Sequence, residues 1–196
     1  MNRAKIASGI SAVMNAPLLT LATFLPLVYL YGGERWPIYL TVSSLFGSVL
    51  PLVGVYVLLK RGYISDFYAD KREERFLPFL STIFCYLVGT LALIYLKAPA
   101  PITALMACYI INGVVLATIT LKWKISIHAS GVTSPVTALV YLMGSRLAPL
   151  FLLVLPVMWA RMELKAHSKW QLTLGAILSS LLTWIQMAFY INHIFI

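Results

Sequence analysis

Apolar runs of about 20 residues, the length one helical bilayer crossing needs, follow one another along almost the whole chain between short polar breaks. They predict helices near 6–31, 37–59, 76–96, 102–121, 131–145, 147–162 and 168–193. The stretch from 131 to 162 is interrupted by Gly144, Ser145, Arg146 and Pro149, which mark either a tight turn or a kink. As one helix it would run about 48 Å at 1.5 Å per residue, well past an apolar core of roughly 30 Å, so two crossings fit better. The expected fold is all-α, a polytopic transmembrane helical bundle of about six to seven spanning helices, with residues 1–196 forming a single integral membrane domain. The run at 6–31 follows Arg3 and Lys5 and is about twice the length of a signal-peptide core, so it is expected to stay as a membrane helix.

Composition strengthens this reading. Hydrophobic residues make up 61% of the 196 and charged residues 11%, where a soluble domain is about half apolar. Cys85 and Cys108 both fall inside apolar runs and read as small hydrophobes, neither a disulfide pair nor metal ligands. Trp36, Trp123, Trp159 and Trp170 lie near predicted helix ends, as interfacial anchors do.

Charge then orients the bundle. With seven crossings, all but three of the 15 Lys and Arg residues share one face, leaving only Arg35, Lys97 and Arg146 on the other. The positive-inside rule makes the crowded face cytoplasmic and the protein a multi-pass component of the cell membrane, although a phosphate site would itself gather cations on its own face. The net charge of +9 points to membrane lipid headgroups as partners and not to nucleic acid, because the basic residues are scattered over short loops.

Three polar segments fall on that face. Lys60 to Arg75 reads KRGYISDFYADKREER. As a solvated loop its charges pair locally, Asp70 with Arg75 or Lys71 with Glu74; as a site, Lys71, Arg72 and Arg75 sit beside the membrane entry at Phe76 and could hold a phosphate group. Lys122 to Pro135, KWKISIHASGVTSP, sets His128 between Ser126 and Ser130, with Gly131 opening the next apolar run and Pro135 in its first turn. Backbone N–H groups at such a helix start favour an anion. Arg161 to Gly175, RMELKAHSKWQLTLG, carries His167 and Gln171 four apart, on one face of a helix that begins near His167. A glutamine accepting a hydrogen bond from one imidazole nitrogen would leave the other free as nucleophile or base, and Arg161 could clamp phosphate oxygens.

In their order and spacing these segments resemble the type 2 phosphatidic acid phosphatase superfamily, the membrane lipid phosphate phosphatases related to vanadium haloperoxidases. The family's third motif is Ser-Arg, five residues, His, three residues, Asp; this chain has Ala160-Arg161, five residues, His167, three residues, Gln171. Its second motif, Pro-Ser-Gly-His, is matched by His128 in a Ser/Gly-rich setting with Ser130 and Gly131, and its first, Lys, six residues, Arg-Pro, by Lys71, Arg75 and Pro78. The resemblance covers about residues 60–185. It implies a metal-independent, cofactor-free hydrolase of phospholipid metabolism acting on a lipid phosphate or diphosphate. By this resemblance His167 is the nucleophile, His128 the proton donor to the leaving alcohol and Gln171 the orienter of His167. Arg161, Lys71, Arg75, Ser130 and Gly131 would bind the phosphate. The family usually has six spans, one fewer than predicted here.

Two other classes stay open. Asp66 and Asp70, with Glu73 and Glu74 following, could hold Mg²⁺ for a diphosphate as in a membrane prenyltransferase, although such enzymes usually carry two acidic clusters. A non-catalytic lipid-phosphate-binding or transport protein would instead use the intramembrane Asn15, Asn112 and Gln186, which can equally serve as interhelical hydrogen bonds.

Overall fold

A computed structural model describes residues 2–195. The described residues form helices and turns with no strand, so the all-α expectation holds for them. Among the described residues nine α-helices follow in order: α1 Arg3–Val13, α2 Ala16–Tyr31, α3 Trp36–Ser44, α4 Leu50–Lys60, α5 Phe76–Tyr95, α6 Ala100–Thr120, α7 Ile127–Met143, α8 Val154–Glu163 and α9 Lys169–Phe189. A π turn at Leu45–Val49 makes α3 and α4 one continuous rod, and a 3₁₀ stretch from Ser145 to Leu153, carrying Pro149, feeds α8. Five helical segments are long and apolar enough to cross a membrane: Gly33–Lys60, Arg72–Tyr95, Ala100–Thr120, Ser145–Glu163 and Lys169–Ile194. The pair α1 and α2, bent by 45°, makes a sixth, and α7 is shorter at 17 residues. Phe84, Leu91, Tyr29, Trp184 and Ile185 are among the large apolar side chains left exposed on the outside, a surface suited to hydrocarbon and not to water.

Two boundaries differ from the sequence expectation. The first apolar run is broken near Asn15, whose side chain accepts a hydrogen bond from the Leu18 N–H and starts a new helix with Pro17 in its first turn. Hydrophobicity does not register that cap, since apolar residues continue on both sides of it. The fifth helix begins four residues before Gly131, because the Ser126 hydroxyl accepts from Ala129 N–H and caps it. His128 therefore lies within the first turn of α7, and Pro135 lies in its interior. At Gly144, φ of +95° allows the tight turn that separates α7 from the segment Ser145–Glu163 packed back against it.

α7 is the central helix, packed on α9, α2 and α8 and buried over most of its length. Small residues let it approach its neighbours. A Cβ at Gly131 would stand 2.9 Å from Ala16 Cα, and one at Gly175 of α9 would stand 2.8 Å from the Ser126 carbonyl oxygen. The larger apolar cluster, with Phe24, Leu93, Leu105 and Met187 fully enclosed, lies toward the far end from His128.

Candidate functional site

The ends of α1, α5, α7, α8 and α9 and the loop after α4 meet at one end of the bundle, and their polar side chains interlock there. Arg75 opens α5 with 2% of its surface exposed, and Arg161 in the last turn of α8 is 1% exposed. Arg75 Nε donates to the Ala69 carbonyl at 2.9 Å, Nη1 to the Ile125 carbonyl at 2.9 Å, and Nη2 faces His167 Nε2 at 3.4 Å. Arg161 Nη2 donates to Asp70 Oδ1 at 2.6 Å and Nη1 to the Ser11 hydroxyl at 3.0 Å, while the buried Nε has no partner. The Ser11 hydroxyl in turn lies 3.4 Å from His128 Nε2. Tyr68 covers this chain, with its ring 5.4 Å from the Arg161 guanidinium and 5.4 Å from the His128 ring.

An arginine carries donors only, so His167 Nε2 is the acceptor in its contact with Arg75 and the neutral ring keeps its proton on Nδ1. That Nδ1 is buried without a hydrogen-bond partner. Burial first, then the charges of Arg75, Arg161 and Lys124, pushes the His167 pKa down to about 2, which holds the imidazole neutral at physiological pH. The Lys124 ammonium, on the loop between α6 and α7, is lowered by burial and by Arg75. Backbone strain sits beside the same groups: Ala69 has φ of +45° and Lys165 has φ of +53°, neither being glycine.

Several residues singled out from sequence stand elsewhere. Lys71 is exposed and pairs with Glu74 at 3.2 Å, because the extended backbone at Lys71 turns its side chain outward before the 3₁₀ turn Arg72–Arg75. Asp70 pairs with Arg161 and not with Arg75. Gln171 does not touch His167. The last helix starts at Lys169, so His167 precedes it, and the Gln171 Oε1 accepts the Ser168 N–H at 3.0 Å while the Ser168 hydroxyl accepts the Gln171 N–H at 3.3 Å. This is a capping box, and the Ser-x-x-Gln spelling of residues 168–171 is its sequence signature. The Ser130 hydroxyl is held by the Ser126 and Gly175 carbonyls and Gly131 is pressed against Ala16, and both residues also line the cavity that Arg75, His128 and His167 border.

Gln171→Ala removes the cap and leaves the His167 ring contacts in place. It is expected to cost about 0.5–2 kcal/mol in stability. A thermal melt compared with the activity of the same sample checks this, and a drop in activity of more than about tenfold would mean that Gln171 reaches His167 after all.

Ser11, Tyr68, Asp70 and Lys124 join the site without having been assigned to it. Ser11 lies 117 residues from His128 and left no local trace. Tyr68, in the loop after α4, left none either. The acidic residues are engaged separately, Asp66 with the N–H groups of Tyr68 and Asp70, Glu73 with Arg72, and Glu74 with Ser65 and Lys71. Among the described residues no three His, Cys, Asp or Glu side chains converge as a metal centre would need.

Behind the basic cluster lies an apolar cavity of about 190 Å³, open at its mouth. Arg75, His128 and His167 line it beside Pro78, Phe79, Ile83 and Leu116. No family model, curated protein or solved structure matches this chain.

Proposed function

We propose that the chain is a membrane lipid phosphate phosphatase that hydrolyses a phosphomonoester or diphosphate lipid through a histidine nucleophile. The observation that carries this is an excess of buried positive charge. Of two guanidiniums almost wholly removed from water, only that of Arg161 pairs with a carboxylate, Asp70, while Arg75 is held by neutral carbonyls with Asp66 and Asp70 nearby and a lysine also close. Burying a charge without a partner costs several kcal/mol, so a site with more cations than anions is built for an incoming anion. The planar, multi-donor guanidinium suits phosphate oxygens. Two neutral histidines beside those cations supply a nucleophile and a proton carrier, and the order His128, Arg161, His167 is that of the type 2 phosphatidic acid phosphatases.

The reaction balances with these groups. The His167 Nε2 lone pair attacks phosphorus in line with the ester oxygen, the P–O bond breaks, and Arg75, released from His167, neutralises the equatorial oxygens together with Arg161. His128, neutral in the empty site, takes up a proton from solvent as the substrate's negative charge arrives and passes it to the leaving oxygen. Water then gives a proton to His128 and attacks the phosphohistidine; the P–N bond breaks, and inorganic phosphate and neutral His167 are regenerated. His167 reaches this role without the carboxylate orienter of the family, held instead by Arg75 and by the capped backbone at Ser168.

Asp70 occupies the guanidinium that the phosphate would take. Asp70→Asn is therefore expected to strengthen inhibition by inorganic phosphate or vanadate several-fold and to lower the melting temperature in their absence, with either anion restoring it. Titrating phosphate against both proteins checks this; unchanged affinity would remove Arg161 from the anion site.

Cations gathered at the site end of the bundle favour the cytoplasmic face of the cell membrane for it. Phosphate release by the detergent-solubilised protein from a panel of lipid phosphates and diphosphates, run in EDTA and again with Mg²⁺, tests the reading. Release that survives EDTA is the expected result. Turnover only with Mg²⁺ would move the chemistry to the acidic loop, and binding of lipid phosphate without turnover under either condition would leave a binding or transport protein.

A further inference from the structure

We propose that the cavity behind the basic cluster takes the hydrocarbon chain of the phosphate ester directly from the bilayer, and that its polar floor sets the longest chain accepted. The inference rests on the phosphatase reading and names its substrate as a lipid that stays in one leaflet. The head of the cavity is Arg75, His128 and His167, and its walls are apolar, with Leu52 and Val55 of α4 facing Pro78 and Ile83 of α5. A phosphate at the head would thus leave its ester group against hydrocarbon-like walls, where an alkyl chain is favoured by about 0.8 kcal/mol per buried methylene.

The depth follows from the helices. Tyr86 is 11 residues beyond Arg75 on α5, and Ser179 is 10 residues beyond Lys169 on α9, and both line the cavity. At 1.5 Å per residue each lies about 15 Å below the head, half of an apolar core of roughly 30 Å. The cavity therefore runs through one leaflet and stops near the midplane.

What stops it is polar. The Ser179 hydroxyl is buried without a partner, and so is the Tyr109 hydroxyl, which lies near Thr20 but outside hydrogen-bonding geometry. Beside them Asn112 Nδ2 donates to the Ser134 and Thr183 hydroxyls at 2.9 and 2.8 Å, and its Oδ1 accepts from Gln186 Nε2 at 3.0 Å. The Asn112-centred hydrogen bonds resist separation, because the groups pulled apart would join Gln186 Oε1, already without a partner, as unsatisfied atoms in an apolar surrounding. A methyl end can reach this floor but gains nothing by pushing through it.

Entry from the side is also built in. The cavity is flanked by the start of α2, at Ala16 and Thr20, and by α4 at Leu52 and Val55. α2 packs on α3, α6 and α7 and, at Thr20, on the π turn at Gly47, and α4 packs on α5, so the stretch without extensive packing lies between Ala16 of α2 and Leu52 and Val55 of α4. A chain lying in the bilayer can slide between them, while a water-soluble ester would use the basic head alone.

The test compares wild type, Val55→Trp and Thr82→Phe on two phosphate monoesters: a long-chain alkyl phosphate in detergent micelles and water-soluble phenyl phosphate. Both substitutions fill the cavity and leave the head residues in place. For each variant kcat/KM on the alkyl ester is expected to fall at least about tenfold, with phenyl phosphate changed less than about threefold. Equal losses on both esters, or no loss on the alkyl ester, would overturn the proposal. On wild type, an alkyl series should gain kcat/KM with length until the chain spans about 15 Å and then stop gaining; a steady gain well beyond that length would remove the floor from the account. Wild-type protein that releases phosphate from neither ester would instead defeat the phosphatase reading itself.

Discussion

His167→Ala is expected to lower phosphate release from a lipid phosphate by on the order of 10⁴-fold or more, while the protein stays folded and still binds inorganic phosphate. The loss is large because no nearby group can replace a nitrogen nucleophile at that point: the Gln171 side chain is turned into the helix cap, and the His128 Nε2 is paired with Ser11. Stability should change little, since the ring leaves its Nδ1 unpartnered in a buried position and its one contact is a long one, 3.4 Å to Arg75. Removing the imidazole also takes away a competitor for the Arg75 guanidinium, so phosphate affinity should hold or rise. Activity assays with a phosphate titration by thermal shift check both halves. Retained activity would assign the attack to water or to another residue.

Arg75→Lys is expected to damage activity and fold together. The arginine fixes three elements at once, the loop through Ala69, the strap before α7 through Ile125, and His167. An ammonium keeps the charge but is a compact point donor that cannot reach three separated acceptors in a plane. Two buried carbonyls would then lose their donor at about 1–3 kcal/mol each, and the strained turn at Ala69, φ +45°, would lose what holds it. We expect kcat/KM to drop on the order of 10²- to 10³-fold with a clearly lower melting temperature, the kinetic part matching the loss of one preorganised donor to a transferring phosphoryl group. A lysine variant with full activity and an unchanged melt would show that charge alone matters there.

The helical segments were legible because apolar runs and polar breaks are local features, and the tight turn at Gly144 announced itself through Gly144 and Pro149. The break near Asn15 was not legible, since it depends on one side chain capping one N–H inside a run that is apolar on both sides. That break matters for the site, because it sets α1 at an angle to α2 with Ser11 between Arg161 and His128. At the site itself, Arg75, Arg161, His128 and His167 were singled out by residue type and spacing and are brought together across four helix ends. Lys71 and Gln171 were singled out by the same reasoning and stand apart from it. Spacing of four residues implies a shared face only inside a helix, and His167 lies before the helix begins. Ser130 and Gly131 look the same in sequence whether they line a site or let two helices touch, and in the fold they do both, meeting Gly175 and Ala16 while bordering the cavity.

The central claim is that the buried cations hold a phosphate for attack by His167. Acid-free quenching of the wild-type protein during turnover of a ³²P-labelled lipid phosphate measures it most directly. The account predicts a protein-bound phosphate that is labile to acid and stable to base, as a phosphohistidine is, and that is absent from His167→Ala. Turnover with no such adduct, or an adduct that persists in His167→Ala, would contradict it.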